Sequence, residues 1–145
     1  MKGLERLNVV EQRIFINNRE IHFKGKIEAL AISPDKIFVV IDMPSKAKVE
    51  EQNNFIKKYN LNIVPQAYSD SDIFNNTYCY DYEGNLLWQI KPPYFKDFPK
   101  FGQYPIVGVD YDEKKNKFYA TDFMGRRFDV NLETGELMSF TTTKW

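Results

Sequence analysis

The sequence predicts a mainly β protein, built of antiparallel four-stranded meanders with one inserted helix near residues 46–59. Three observations carry this prediction. Aromatic residues make up 16% of the 145-residue chain, with 12 Phe, 9 Tyr and 2 Trp, and large rings suit half-buried pleated surfaces. Short apolar-rich runs alternate with compact turn signals along most of the chain. One stretch, residues 44–72, switches to helical spacing.

In chain order, residues 9–23 place two apolar-rich runs around Asn17-Asn18. Asparagine tolerates the left-handed backbone of a tight turn, so this stretch predicts a hairpin. In residues 27–42, Ile27, Ala29 and Ala31 alternate with Glu28, Leu30 and Ile32 up to the turn signal Ser33-Pro34-Asp35-Lys36. The run from Ile37 to Ile41 that follows is continuously apolar, as in a strand buried on both faces. Pro44-Ser45 then opens a helix. Val49, Gln52, Ile56 and Tyr59 recur at its spacing, and Asn60 is its stop. Residues 61–72 read as a loop. Residues 77–91 return to β around Glu83-Gly84-Asn85. Residues 92–105 hold four prolines and five aromatics, which excludes a central strand or a helix. Residues 106–145 carry four strand-like runs joined by turns at 112–116, 124–125 and 133–135.

These hairpins repeat. The layout of residues 27–42 recurs 79 positions later at 106–122. The hairpin around Gly84 recurs 51 positions later around Gly135. The difference matches the helix and loop between Pro44 and Asp72. The chain therefore divides, within one domain spanning 1–145, into a half repeat at 9–23, a first repeat at 27–91 with an insertion at 44–72, and a second repeat at 106–145. A four-stranded meander whose last hairpin carries Tyr80, Asp81, Gly84, Leu86, Leu87 and Trp88 resembles one blade of a β-propeller. Thr134-Gly135-Glu136 is similar to a turn found in such blades. The resemblance implies about half of a small propeller, some ten strands, with an open side that the helix and residues 92–105 would partly cover.

Composition narrows the function classes. Twenty basic and twenty acidic residues give a formal net charge of zero, which argues against nucleic acid as partner. Cys79 is the single cysteine, so no disulfide can form within the chain, and a small buried strand residue is its expected role. No signal peptide or membrane span is expected, which points to a cytoplasmic location. Asn75-Asn76-Thr77 matches a glycosylation sequon by chance on that reading.

Candidate chemistry is sparse. His22 is the single histidine, which excludes a multi-histidine metal site. Asp70 and Asp72 are close in sequence, as are Asp110, Asp112 and Glu113, while Asp42, Asp81, Asp122 and Asp129 lie near strand ends, where acidic residues usually serve turns; a carboxylate-based enzyme remains an alternative. No cofactor or metal is expected. Residues 66–85 carry Asp70, Asp72, Asp81 and Glu83 with no Lys or Arg, interleaved with Tyr68, Phe74, Tyr78, Tyr80 and Tyr82. This acidic, aromatic strip is either a docking surface for a basic protein or one strand with a wet face and a packed face. Tyr94, Phe95 and Phe98 in the proline-bounded loop extend the docking reading. Trp88 and Trp145 support the alternative of a carbohydrate or small-ligand binder. The expected function is a non-catalytic protein-binding module, monomeric or homodimeric. Being small, motif-poor and surface-aromatic, the chain resembles bacterial immunity proteins. That likeness implies a basic toxin domain as partner, bound through Tyr68, Asp70, Asp72, Phe74, Asp81, Glu83, Tyr94, Phe95 and Phe98.

Overall fold

The computed structural model describes residues 3–44, 46–62, 74–90 and 104–142. Three antiparallel meanders account for their strands. The first sheet holds β1 (Leu7–Val10), β2 (Arg13–Ile16) and β3 (Arg19–His22). The second holds β4 (Lys26–Ile32), β5 (Lys36–Asp42), β6 (Thr77–Asp81) and β7 (Leu86–Gln89), with helix α1 (Lys46–Lys58) inserted between β5 and β6. The third holds β8 (Ile106–Asp112), β9 (Lys117–Asp122), β10 (Arg126–Val130) and β11 (Leu137–Thr142). The mainly β class, the antiparallel meanders and the inserted helix are as the sequence predicts.

Strand β5 sets the layering. Side chains alternate faces along a strand. Ile37, Val39 and Ile41 pack with Ile14, Ile16 and Tyr80 between the first and second sheets. Phe38 and Val40 pack with Cys79, Trp88, Phe118, Ala120, Phe128 and Val130 between the second and third. All five β5 residues are fully buried, so the second sheet is the middle layer. The Phe38 and Phe118 rings stack at 3.9 Å. Trp88 closes one side of this core: its indole N–H donates to the Leu132 carbonyl at 2.8 Å, and its ring lies against Gly135. Gly135 has a φ of +77°, and a Cβ there would come within 2.5 Å of the indole, so both backbone and space require glycine.

The two four-stranded sheets share their irregularities. Glu28 in β4 and Val107 in β8, 79 positions apart, are extra residues that bulge against the neighbouring strand. Leu87 in β7 and Met138 in β11, 51 positions apart, do the same. The second and third sheets approach each other along their first strands, β4 and β8.

Two departures from the sequence reading have identifiable causes. The hairpin expected around Asn17-Asn18 is present as β2 and β3, but a further strand, β1, extends it to a three-stranded sheet. Glu11 takes a left-handed φ of 53°, and the Glu11 and Gln12 carbonyls accept backbone hydrogen bonds from Ile27 and Phe23. Glu-Gln is not a turn signature, so β1 is invisible to local pattern. The helix ends as expected, with Asn60 left-handed (φ 49°) and the Leu61 amide donating to the Ile56 carbonyl. It does not cover an open sheet face, however. Val49 is its buried residue, while Tyr59, placed on the packed side by spacing, is exposed. Ser45, its expected cap, lies outside the described residues.

Among the described residues, the outer faces of the stack carry ion pairs. On the third sheet, Arg127 pairs with Asp110 at 3.0 Å and Lys117 with Asp129 at 3.3 Å. The Arg127 guanidinium lies 3.9 Å from the Tyr119 ring centroid. On the first sheet, Glu20 accepts from Arg13 at 3.2 Å and faces His22 at 3.0 Å. Two buried asparagines stitch the layers. Asn17 donates to the Gly3 and Tyr82 carbonyls and accepts from the Glu5 and Arg6 amides. Asn76 donates to the Ile41 and Ile106 carbonyls and accepts from the Ile106 amide. Replacing Asn76 with Ala strands these buried groups. We expect Asn76→Ala to lower the unfolding free energy in urea by about 3 kcal/mol. Exposed Asn54 serves as control, and Asn54→Ala should change stability little.

Candidate functional site

Strand polarity sorts the connections to two ends. One end carries short turns closed by their own side chains. Ser33 Oγ accepts from the Lys36 amide, Asp81 from Glu83 and Asn85, Asp112 from Lys114 and Lys115, and Asn131 from Glu133 and Thr134. The opposite end carries the β1–β2 turn, the β3–β4 link, helix α1 and the β9–β10 turn. Phe74, Ile90 and Tyr104, which border residues 63–73 and 91–103, lie there too.

Large apolar side chains stand exposed at this second end. Phe123 is 63% exposed and Met124 53%. The turn beneath them is rigid. Asp122, buried, accepts from the Met124 and Arg126 amides and pairs with the buried Arg126 guanidinium at 2.7 Å. Arg126 in turn lies 5.4 Å from the Tyr104 ring and 5.5 Å from that of Phe128. On the helix, Phe55 and Tyr59 are both exposed, their rings 4.6 Å apart, with exposed Leu61 just beyond. A cleft of about 440 Å³ opens between the start of α1, the β3–β4 link and the end of β5. Lys24, Lys26, Lys48 and Asp42 supply its charges. Glu28 stands close by: burial, then the charge of Asp42, hold its carboxyl above the usual range.

The residues singled out from sequence fall in different places. Tyr68, Asp70, Asp72, Tyr94, Phe95 and Phe98 lie outside the described residues, as does Trp145. Phe74, half-buried, and the pair Asp81 and Glu83 stand at opposite ends of β6. The described tyrosines of the strip, Tyr78, Tyr80 and Tyr82, are packed rather than displayed. Tyr80 is buried against the first sheet, where Tyr78 and Tyr82 also pack, and Phe23 meets Tyr78 at 5.5 Å and Tyr80 at 6.1 Å. The Tyr82 hydroxyl donates to the Ser33 carbonyl. Trp88 is in the core. Local pattern missed Phe123 and Met124. The usable signal was two apolar residues at the centre of an Asp-x-x-Gly turn, where polar ones are usual.

Two groups have shifted proton affinities with clear consequences. Burial pushes the Cys79 thiol up to about 12, with Lys36 opposing it weakly, so the thiolate is scarce at neutral pH. Cys79 should resist a thiol-reactive dye in the folded protein and react at the normal rate in denaturant; rapid labelling of the native state would contradict the packing. For Asp81, burial acts against the carboxylate, but hydrogen bonds from Asn85, Glu83 and Gly84 outweigh it and hold the carboxyl below its ordinary 3.8. A depressed folded value stabilises the protein above the unfolded value and is lost as pH falls through it. Asp81→Asn should therefore be less stable than the parent at pH 7, with the gap in urea midpoints closing by pH 2.

Comparison of this chain with protein-family models, curated proteins and solved structures finds no match.

Proposed function

We propose that this chain is a non-catalytic protein-binding module, and specifically an immunity protein that binds and neutralises a toxin. The three face-packed meanders serve as an open, propeller-like scaffold for it. One observation carries the reading: Phe123, Met124, Phe55 and Tyr59 are held exposed at one end, on a turn and a helix that rigid strands position. Exposed aromatic and Met side chains on a pre-ordered frame are the usual anchors of a protein interface. Several strand-end carboxylates already have structural work: Asp81 and Asp112 close turns, Asp122 pairs with Arg126, and Asp110 and Asp129 pair with Arg127 and Lys117. Trp88 is buried in the core, which leaves it little use as a sugar-stacking platform. Asp81 and Glu83 stand at the far end from this face.

The test compares the two ends. Immobilised protein incubated with lysate of its native host should retain one protein in stoichiometric amount. Phe123→Ser with Met124→Ser should weaken retention roughly 30-fold or more, the scale of a hot spot. Leu86→Ser, at the far end, should leave it unchanged. The retained protein, produced alone, should arrest growth, and co-production of this chain should restore it. Retention that survives the Phe123/Met124 changes, or a harmless partner, would sink the proposal.

A further inference from the structure

The first sheet is one strand short of its two neighbours. Strand β3 leads into β4 as β7 leads into β8, so β1, β2 and β3 correspond to the last three strands of the other sheets. No described strand stands beside β1 in the position that β4 and β8 hold in theirs. That position offers a backbone edge. In an antiparallel ladder, alternate residues bond the neighbouring strand. The Asn17 amide donates to the Arg6 carbonyl, and Leu7 and Val9 stand opposite Ile16 and Ile14, so Leu7 and Val9 turn their amides and carbonyls away from β2. No described residue bonds those outward groups. Farther along the same edge, the Glu11 carbonyl accepts from the Ile27 amide and closes the slot at one end. The slot also has apolar walls. Val9 shares a face with Ile14 inside the stack, yet it is 44% exposed. On β4, Leu30 and Ile32 point toward the first sheet with their partners Val39 and Ile37, and Ile32 is 41% exposed. The other face of β4, with Ala29 and Ala31, is covered by the third sheet, where β8 lies against β4. Strand β1 makes no such approach to β4.

We propose that the β1 edge takes up an extended segment of a partner protein as a fourth strand, antiparallel to β1. The backbone of Leu7 and Val9 would supply the hydrogen bonds, and the added strand would lie over β4 as β4 lies over β8. The repeats state which side chains fit. Inward positions call for small or β-branched residues, as Ala29 and Ala31 are in β4 and Val109 is in β8. Outward positions call for acidic residues. On the outer face Arg13 already pairs with Glu20, but Arg6 stands exposed with its guanidinium 4.8 Å from the Phe15 ring centroid and no ion-pair partner among the described residues. A second copy fits this edge less well than a single strand, because pairing β1 with β1 would bring two β4 strands to the same place. The inference is independent of the Phe123 face: it uses another surface, and backbone in place of side-chain anchors.

A capped peptide of alternating glutamate and valine, seven residues long like β4 and β8, tests it with the full chain. The readouts are amide hydrogen exchange and chemical shifts. In the free protein the Leu7 and Val9 amides should exchange rapidly at every protein concentration. The peptide should slow both saturably, by roughly tenfold or more, with shifts centred on residues 6–10 and 30–32. The same peptide with proline at its centre lacks a ladder donor and should bind roughly tenfold more weakly, and a lysine-valine peptide should also bind more weakly. Val9→Pro should keep the fold, because the lost amide faces out of the sheet, and should abolish uptake. If that variant does not fold, the proline peptide on the parent chain still decides. Equal binding of the proline peptide, or of the lysine peptide, would overturn the proposal. So would slow exchange of Leu7 and Val9 in the free chain, which would show the edge already filled, by a second copy if the protection fades on dilution and by this chain if it does not.

Discussion

Strand β5 has no solvated face, and the architecture follows from that. Ile37, Val39 and Ile41 need an apolar layer on one side, and Phe38 and Val40 need another on the opposite side. Burying such a side chain contributes about 1.5–3 kcal/mol, so leaving either face wet would forfeit a large share of a small protein's net stability. A single sheet cannot meet that demand. The chain meets it with a short sheet before β4 and a full four-stranded sheet after β7. Each outer sheet then needs to be apolar on one side only. The ion pairs Arg127–Asp110 and Arg13–Glu20 end the stack with faces that water satisfies.

Burial on both sides leaves the layers free to slide unless something directional fixes them, because apolar contact is nearly indifferent to small translations. Asn17 and Asn76 supply direction. Each sits at a sheet end and spans two layers through hydrogen bonds to backbone groups, and each is nearly inaccessible to water. Asn76 joins the end of β5 to the start of β8, so it also fixes where β8 begins against the middle sheet. The Trp88 indole acts in the same way at the other end of the middle sheet, reaching Leu132 across the core. Polar groups buried with their partners complete cost little and specify a register, which hydrophobic packing alone does poorly.

Much of this was legible in the sequence, and the illegible parts share a cause. The double-sided burial of 37–41, the helix at 46–58 and its stop at Asn60 depend on local spacing and turn chemistry, which sequence displays directly. The repeat offsets of 79 and 51 appear again in the bulges at Glu28 and Val107 and at Leu87 and Met138. What failed was the assignment of faces. Tyr78, Tyr80 and Tyr82 alternate with Cys79 and Asp81 as a half-exposed strand would, and only the presence of the first sheet decides that their side is dry. Tyr59 lies at helical spacing from Val49 and Ile56 yet is exposed, while Val49 in the first part of the helix is buried. Phe123 and Met124 left one local trace, two apolar residues at the centre of an Asp-x-x-Gly turn, but their exposure depends on how the sheets stack, which local pattern does not display.

The repeats also explain why the candidate sites fall at one end. Strands β5 and β9 end at equivalent points of the two four-stranded sheets, where Ile41 faces Ile27 as Asp122 faces Ile106. After Asp122 the chain turns back within four residues through Gly125, with the carboxylate holding the turn. After Asp42 it instead departs into α1. The same structural position thus carries a tight apolar turn in one repeat and an inserted helix in the other. An insertion at the opposite end would disturb turns such as 81–85 and 131–135, whose Asx caps and left-handed glycines hold adjacent strands in register, and whose Gly135 touches the core through Trp88. The end that tolerates insertion is therefore the end free to vary, and a rigid frame with one variable end is the arrangement on which a binding surface can change without cost to the fold.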